Sequence, residues 1–443
     1  MLDLQAQGRR VTLSYSTNVH PAESAAELDA MLRTQVAPVS RAAFGAGRAA
    51  VNLRLGMRQA DELLGLDPER PPPQIRTEDL AAKPAPACAK LIATLRELDL
   101  QVVSINGFPI QNFHAPRVKE QVYEPSWTDP RRALYSLKIA KVLAHLLGER
   151  NDAAVSVPSG VFKGMADDAD TKAYCAHVLT ACVRELARLE ELTGKTIRLG
   201  LEPEPYTTGE TIGEFVDYFK DFILYHAMVR LAQDMGITSE RAEELTRRFV
   251  TVNLDLCHQA VEFEDPLEDL KRLQAEGIVL SGLHLSAALK LSRPADHPEA
   301  FRALLELDEP RYLHQVVART KAGALQRFAD LPELKDLDRL RGRSTTWLDL
   351  EEVRCHFHVP LFADFDGPLT STRESVGPAA RYAAREGLTD NFIAETYTWG
   401  VLTGLAARGN ASARRIVGSG AVDVQAGMVQ ELRWARAELE RAP

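Results

Sequence analysis

The sequence predicts an α/β fold, a (β/α)8 TIM barrel, and three observations indicate it. Short apolar runs rich in valine, isoleucine and leucine alternate with longer segments of helical periodicity. Connections from a helix into the next strand are tight, whereas connections from a strand into the next helix are long. Residues of metal-ligand type stand where several apolar runs end. A barrel explains all three features, because its active site is built at the carboxyl ends of its parallel strands.

The strands are predicted at nine short runs, one more than a barrel of eight strands needs. Continuous apolar runs of this kind are typical of strands that are buried on both faces. Either 278–284 or 354–361 can be the seventh barrel strand, and the sequence leaves this choice open. The nine candidates are 11–16, 50–55, 100–105, 153–157, 197–202, 249–255, 278–284, 354–361 and 392–397.

Long helical patterns lie between these strands. The first begins with Asp129 and Pro130, an N-cap residue followed by a residue that suits the first helical turn. The clearest patterns cover 129–147, 167–192 and 210–235.

Two insertions lengthen the strand-to-helix side of the predicted barrel, at about 106–128 and 286–353. In a barrel this is the catalytic side, so the extra residues lie on the face where the ligand-type residues converge. Within the second insertion, 312–319 and 324–328 flank Lys321-Ala322-Gly323, which predicts a β-hairpin that serves as a flap. We expect residues 1–443 to form a single TIM-barrel domain that carries both insertions.

Composition and charge predict a protein without membrane insertion that does not bind nucleic acid. The 443 residues include 53 basic and 62 acidic side chains, and the resulting net charge of −9 argues against a phosphate backbone as ligand. No apolar run approaches the roughly 18 residues that span a bilayer, and the amino terminus lacks the pattern of a secretory signal. The five cysteines form no C-x-x-C pair, which is typical of reduced thiols, so we expect a cytoplasmic protein.

Four candidate metal ligands, Glu202, Asp255, His284 and Glu395, stand at or near the ends of apolar runs. Carboxylate and imidazole donors together suit a divalent cation such as Mn, Mg, Co, Zn or Fe better than an ion that prefers thiolates. Each residue also has an ordinary explanation, as a surface acid, a helix cap or half of an ion pair. Their shared position favours metal binding, and Glu202 and Glu395 are also candidates for the catalytic base and acid.

Two further histidines compete with His284 for the role of imidazole ligand. His356 and His358 are two residues apart, so they share one face of an extended strand. Two imidazoles on one face need polar partners if they are buried. We expect His358 to be a metal ligand if 354–361 is the seventh strand, and His356 to contact substrate or support the ligands.

Two more residues near the four ligands are candidates for substrate binding or for support of the site. His258 follows Asp255 by three residues and can return toward the same end of the barrel, as a ligand or as a hydrogen-bond partner of substrate. Glu204 lies on the same side of an extended segment as Glu202 and is a candidate second base.

At these motifs the sequence resembles the xylose-isomerase-like superfamily of TIM barrels, which includes sugar epimerases and endonuclease-IV-type enzymes. The resemblance implies a divalent metal ion held by a Glu, an Asp, a His and a final Glu, in that order. Residue by residue, these roles fall on the four candidate ligands named above. Lys290 follows His284 by six residues, where related epimerases commonly have an arginine that grips a substrate oxygen.

A closer resemblance, over nearly the whole chain, is to the EboE family of metabolite-traffic proteins. It implies a role in processing or delivering a precursor of a secondary metabolite, with a small metabolite and proteins of the same pathway as partners. In this family the His-x-His segment is the more characteristic imidazole motif, which supports His358. The matching segments include 17–21, 106–109, 117–119, 121–123, 257–258, 260–266, 356–360 and 395–399.

Three functions are therefore considered, and the first of them is preferred. The first is a metal-dependent isomerase or epimerase of a sugar-like, polyhydroxylated metabolite, in which Glu202 and Glu395 exchange protons with the substrate. The second is an endonuclease-IV-like phosphoesterase that uses extra histidines to bind more than one metal ion. The third is a non-catalytic barrel that binds a metabolite and hands it on.

Overall fold

Fourteen strands occur in the described part of the chain. The computed structural model describes residues 3–68, 83–164, 167–335, 346–365, 367–417 and 423–441. The strands are β1 (Asp3–Ala6), β2 (Arg9–Tyr15), β3 (Ala49–Arg54), β4 (Leu100–Asn106), β5 (Asp152–Pro158), β6 (Thr196–Glu202), β7 (Val250–Asp255), β8 (Leu280–Leu285), β9 (Leu289–Ser292), β10 (Val316–Thr320), β11 (Leu325–Phe328), β12 (Leu350–Cys355), β13 (Leu369–Ser371) and β14 (Asn391–Ala394).

Eight parallel strands form a closed barrel, which confirms the predicted fold class. Strands β3 to β8 pair in chain order, and β14 joins β8 to β2. A parallel bridge between Ser16, just beyond β2, and Asn52 on β3 closes the ring. β1 pairs antiparallel with the first half of β2 and stands outside the eight.

Helices follow the barrel strands and are stabilised by side-chain caps at their amino ends. Asp129, Asp168 and Thr238 each accept a backbone N–H in the first turn of the helix that follows. No helix in the described ranges is both long and apolar enough to cross a bilayer. The helices are α1 (Ala25–Met31), α2 (Ala37–Phe44), α3 (Met57–Leu64), α4 (Pro86–Glu97), α5 (Pro130–Leu146), α6 (Ala169–Thr193), α7 (Ile212–Tyr218), α8 (Ala232–Met235), α9 (Ser239–Phe249), α10 (Leu256–Val261), α11 (Pro266–Ala275), α12 (Pro298–Leu305), α13 (Leu331–Lys335), α14 (Val376–Glu386), α15 (Trp399–Ala407), α16 (Ala411–Val417) and α17 (Val424–Glu440).

The seventh barrel strand is β8, which settles the choice that the sequence left open. The competing segment, 354–361, lies elsewhere: its first two residues end β12, and the remainder is a loop that carries His356 and His358. β12 belongs to a second, antiparallel sheet with the strand order β11-β10-β12-β9-β13. Burial alternates in the second half of β12, as expected for a strand with one solvated face, because Val353 and Cys355 are buried while Arg354 is partly exposed.

The second insertion contains β12, which is not a barrel strand. The connection from β8 to α14 covers 286–375, and residues 336–345 and 366 within it lie outside the described ranges. The predicted hairpin is confirmed by antiparallel pairing of β10 with β11. The first insertion, about 106–128, lies between β4 and α5.

Gly282 on β8 allows close packing of polar side chains inside the barrel. A Cβ atom at this position would collide with Oδ1 of Asn253 and would lie 3.1 Å from Nδ2 of Asn391. Both amides come from neighbouring strands, β7 and β14. Glycine is therefore required here by the space available.

We predict that Gly282→Ala lowers the free energy of unfolding by about 1–3 kcal/mol, because the added methyl group overpacks the barrel interior. Urea denaturation followed by circular dichroism measures this change. Gly400→Ala is the matched control: its added Cβ meets no atom within 4 Å, so we expect little change or a small gain. Equal stability of the two variants would contradict the packing explanation.

Candidate metal centre

Four side chains from adjacent strand ends converge on one point. Glu202 ends β6, Asp255 ends β7, His284 is the penultimate residue of β8, and Glu395 directly follows β14. Asp255 and His284 are paired in the parallel ladder, so they stand at the same height in the barrel. Each of the four offers one ligand atom, and these atoms all lie within 4.8 Å of one another.

The distances around His284 suit ligands of one ion. Its Nδ1 atom lies 3.5 Å from Oε1 of Glu202 and 3.4 Å from Oδ2 of Asp255, and it contacts Oε2 of Glu395. Two atoms that bind one ion at about 2.1 Å are about 3.0–3.4 Å apart in octahedral or tetrahedral geometry. The four residues therefore need little movement to coordinate a cation.

Charge and burial also favour a cation at this point. Oδ2 of Asp255 and Nδ1 of His284 are buried and make no well-aligned hydrogen bond, because each faces other ligand atoms of the cluster. Burial raises the pKa of Glu202 well above its usual range, whereas the neighbouring histidines outweigh burial at Asp255 and hold its pKa low. Burial opposes a charged imidazole at His284, yet the carboxylates of Glu395 and Glu202 outweigh it and raise the His284 pKa. A divalent ion would neutralise this carboxylate-rich cluster.

Amide side chains hold two of the carboxylates in place. Asn18 and Asn106 both donate to Oε1 of Glu395, over 2.5 and 3.3 Å, so that Oε2 faces His284. Asn253 donates to Oε2 of Glu202 over 3.3 Å and lies 3.0 Å from Nε2 of His284. Partners of this kind orient metal ligands and limit the conformations they can adopt.

Asp255 caps a helix and faces the cluster at the same time. Its Oδ1 accepts the backbone N–H groups of Cys257 and His258 at the start of α10, and also the hydroxyl of Ser286. Oδ2 is left for the cluster. The two explanations weighed for this residue, cap and ligand, are therefore compatible.

A second cluster, the histidine cluster, consists of His258, His356 and His358. Each Nδ1 atom faces an oxygen that can only accept: the carbonyl of Pro203 at 3.0 Å, Oε1 of Gln315 at 2.7 Å and the carbonyl of Glu395 at 2.9 Å. Each Nδ1 therefore carries the proton, and each Nε2 is left with a lone pair.

The histidine cluster lies beside the carboxylates, and its members belong to different ligand groups: His258 and His356 with Glu204, and His258 and His358 with Asp255. Nε2 of His258 and Nε2 of His356 are 3.1 Å apart. Nε2 of His358 is buried without a hydrogen-bond partner and lies 3.9 Å from Oδ2 of Asp255. Burial lowers the pKa of His258 and of His356, so both rings are neutral and available as ligands.

The remaining predicted residues divide between the site and its surroundings. Glu204 is buried beside the histidine cluster, 3.5 Å from Nδ1 of His356, and burial raises its pKa to about 8. Lys290 does not reach the site: it lies on β9 of the second sheet, where its ammonium pairs with Glu374. The prediction for Lys290 fails because the chain leaves the barrel rim directly after β8.

Several residues that support the site were missed by sequence reasoning. Asn106 ends a barrel strand, so extending the strand-end rule from acids and histidines to amides would have found it. Gln315 and Glu431 give no local signal. Glu431 on α17 is buried and accepts hydrogen bonds from Leu361 N–H at 3.1 Å, Thr396 Oγ1 at 2.6 Å and Trp399 Nε1 at 2.9 Å. It thereby joins the loop after His358 to the loop after Glu395.

We predict that a divalent metal stabilises the metal-free protein through this cluster. Mn²⁺, Co²⁺ or Zn²⁺ at 100 times its Kd should raise the free energy of unfolding by about 2.7 kcal/mol, measured by thermal or chemical denaturation. Asp255→Asn should lose this gain, although its side-chain oxygen can still cap α10.

Asp269→Asn is the matched control for this substitution. Asp269 is a buried carboxyl on α11, outside the cluster, and burial raises its pKa to about 8, so it is already largely neutral at pH 7. The control should keep the full stabilisation by metal. If metal raises the free energy of unfolding of Asp255→Asn as much as that of the control, the ion binds elsewhere.

Comparison with known proteins adds little to this geometry. No family model and no curated protein matches the sequence. Among solved structures, the chain is similar to a D-tagatose 3-epimerase-like protein, with 13% identity over 61% of this chain and 74% of that chain and a TM-score of 0.32. It is also similar to a xylose isomerase domain protein from Alicyclobacillus acidocaldarius subsp. acidocaldarius, with 14% identity over 62% of this chain and 74% of that chain and a TM-score of 0.33. The resemblance to the EboE family stays a prediction.

Proposed function

We propose that this protein is a divalent-metal-dependent enzyme that isomerises or epimerises a small hydroxy-carbonyl metabolite. The main support is the convergence of four donors on neighbouring strand ends, where buried atoms of Asp255 and His284 face only other ligand atoms. Glu202, Asp255, His284 and Glu395 would hold the ion. When bound, the ion would act as a Lewis acid toward a carbonyl oxygen and the hydroxyl beside it.

Glu202 and Glu395 are the residues proposed to move protons. Both line the cavity that borders the cluster, whereas Asp255 and His284 lie behind its wall. Each has one oxygen toward His284 and a second oxygen held by an asparagine amide. The carboxyls are thus fixed on two sides of the site, where one can take a proton from a substrate carbon and the other can return it.

Isotope exchange tests this proposal. Metal-loaded protein in D2O, supplied with α-hydroxy ketones such as dihydroxyacetone and 2-hydroxyacetophenone, should incorporate deuterium at the carbon that bears the hydroxyl, as seen by NMR. Glu202→Gln and Glu395→Gln should each slow exchange by about 10²–10⁴-fold, the usual contribution of a positioned acid or base. Glu374→Gln is the control, because that exposed carboxylate pairs with Lys290 away from the site.

Two outcomes would contradict the proposal. Equal exchange in all four proteins would show that neither glutamate moves the proton. Binding of the ketones without any exchange would favour the alternative function, a barrel that carries a metabolite without changing it.

The histidine cluster favours a second candidate function, hydrolysis of a phosphoester with two cations. The second cation would bind either Asp255, His258 and His358 or Glu204, His258 and His356, since the ligand atoms of each group lie within 4.8 Å of one another. The Nε2 atoms of the histidines carry no proton and can coordinate. Asp255 lies between the two clusters and is close to both, because Oδ2 is 3.4 Å from His284 Nδ1 and 3.9 Å from His358 Nε2. Two adjacent metal ions are a common arrangement in phosphoester hydrolysis.

Metal stoichiometry separates the two candidates. If a second cation binds at the histidine cluster, protein purified without added metal and then loaded should hold close to two ions per chain. His258→Gln should hold about one, because His258 belongs to both ligand groups. His145→Gln is the control, because His145 lies on α5 and outside both clusters. Plasma emission spectroscopy gives the ratio, and hydrolysis of bis(p-nitrophenyl) phosphate reports the activity. One ion per chain and no hydrolysis would remove this candidate.

A further inference from the structure

We infer that the metabolite bound beside the metal centre carries a flat apolar group, aromatic or alkenyl, next to its metal-binding oxygens, and is not a simple sugar. This inference rests on the proposed function, since the ion is taken to hold the oxygens. It concerns the part of the cavity that the clusters do not line.

Apolar side chains form that part of the lining. They come from the first insertion, from the segment before β10 and from the segment after β14, and all of them are buried or half-buried. The six that matter are Phe108, Phe113, Val118, Val122, Leu313 and Tyr397.

The apolar lining begins directly at the histidine cluster. The ring of Tyr397 lies 4.7 Å from the ring of His358 and 5.6 Å from the ring of Phe113, measured between centroids. A metabolite whose oxygens reach the metal-binding residues would therefore place its next atoms against aromatic faces. Such faces favour offset or edge contacts with another flat apolar group.

Most polar side-chain atoms of the lining, apart from the candidate metal ligands, already have partners, but the hydroxyl of Tyr312 and Oδ1 of Asn18 have none among the described residues. Asn18 and Asn106 both donate to Glu395, and the ammonium of Lys119 lies 2.6 Å from Asp330. Gln315 donates to the hydroxyl of Tyr123 over 2.7 Å and faces Nδ1 of His356 with its oxygen.

A polyhydroxylated chain would be a poor match for such a lining. Apart from the candidate metal ligands, Tyr312 and Asn18 each leave one atom free for a hydroxyl, which is fewer than the hydroxyls of a sugar need. Each buried hydroxyl without a hydrogen-bond partner costs binding free energy, because it loses its contacts with water. An apolar ring has no hydrogen bond with water to lose, and its burial contributes favourable free energy to binding. The lining therefore favours an aromatic or alkenyl group over a sugar.

Three hydroxamates test this inference, because they share one metal-chelating head and differ in the attached group. Acetohydroxamate carries a methyl group, benzohydroxamate a phenyl ring and D-erythronohydroxamate a polyhydroxylated chain. On metal-loaded protein, calorimetry should show benzohydroxamate binding at least about tenfold more tightly than acetohydroxamate. D-erythronohydroxamate should bind no more tightly than acetohydroxamate.

A pair of substitutions tests whether the apolar lining causes the preference for benzohydroxamate. Leu313→Asn places a polar group of similar size in the lining and should remove most of the preference for benzohydroxamate, whereas Leu313→Met should keep it. The metal content per chain, measured in both variants, shows whether the fold and the metal site are intact. Val122→Thr, a smaller change on the same wall, replaces Leu313→Asn if that variant does not fold.

The outcomes separate this inference from the proposed function. If no hydroxamate binds more tightly to the metal-loaded than to the metal-free protein, the metal centre itself is refuted. If acetohydroxamate binds in a metal-dependent way but D-erythronohydroxamate equals or exceeds benzohydroxamate, the metal centre stands and the apolar ligand is refuted.

Discussion

The site depends on one electrostatic constraint: three carboxylates and one imidazole are forced together at the ends of four parallel strands. The ladder between β7 and β8 sets Asp255 opposite His284, and Glu202 and Glu395 come from the strands on either side. A single imidazole cannot balance three carboxylates, of which Asp255 and Glu395 are buried and Glu202 is partly exposed. Water is excluded from Asp255 and His284. The barrel therefore places excess negative charge at this point, and a divalent cation would neutralise more of it than a proton does.

The surroundings restrict where that charge can be placed. Asparagines on β4 and β7 and just beyond β2 take the outer oxygen of each glutamate, so the inner oxygens stay directed at His284. Gly282 leaves the space that the Asn253 side chain needs. Glu431, from the last helix, ties together the loops that follow His358 and Glu395. The position of the ligands thus depends on packing across the whole barrel.

Sequence reasoning predicted the parts of the site that local pattern encodes. An acid or a histidine at the end of an apolar run identified Glu202, Asp255, His284 and Glu395, because parallel strands bring such ends together. The same reasoning could not choose between 278–284 and 354–361, since both are short runs that contain histidine. Gln315 and Glu431 escaped it because their contacts join segments far apart in sequence, 41 residues for Gln315 with His356 and 70 for Glu431 with Leu361. The prediction for Lys290 was wrong because it relied on the spacing of six residues from His284, and the chain enters the second sheet within that spacing.

The long connection after β8 supplies side chains to the candidate site that the barrel strands do not. The barrel strands and the residue directly after β14 supply the carboxylate cluster, whereas the insertion supplies His356, His358 and the Gln315 side chain that orients one of them. The same insertion supplies Leu313 to the apolar wall, and the first insertion supplies the phenylalanines and valines. Loops of this kind can change without loss of the barrel, because they add to its rim rather than to its core. In the proposed function, the strand ends would bind the cation, and the insertions would select the metabolite that reaches it.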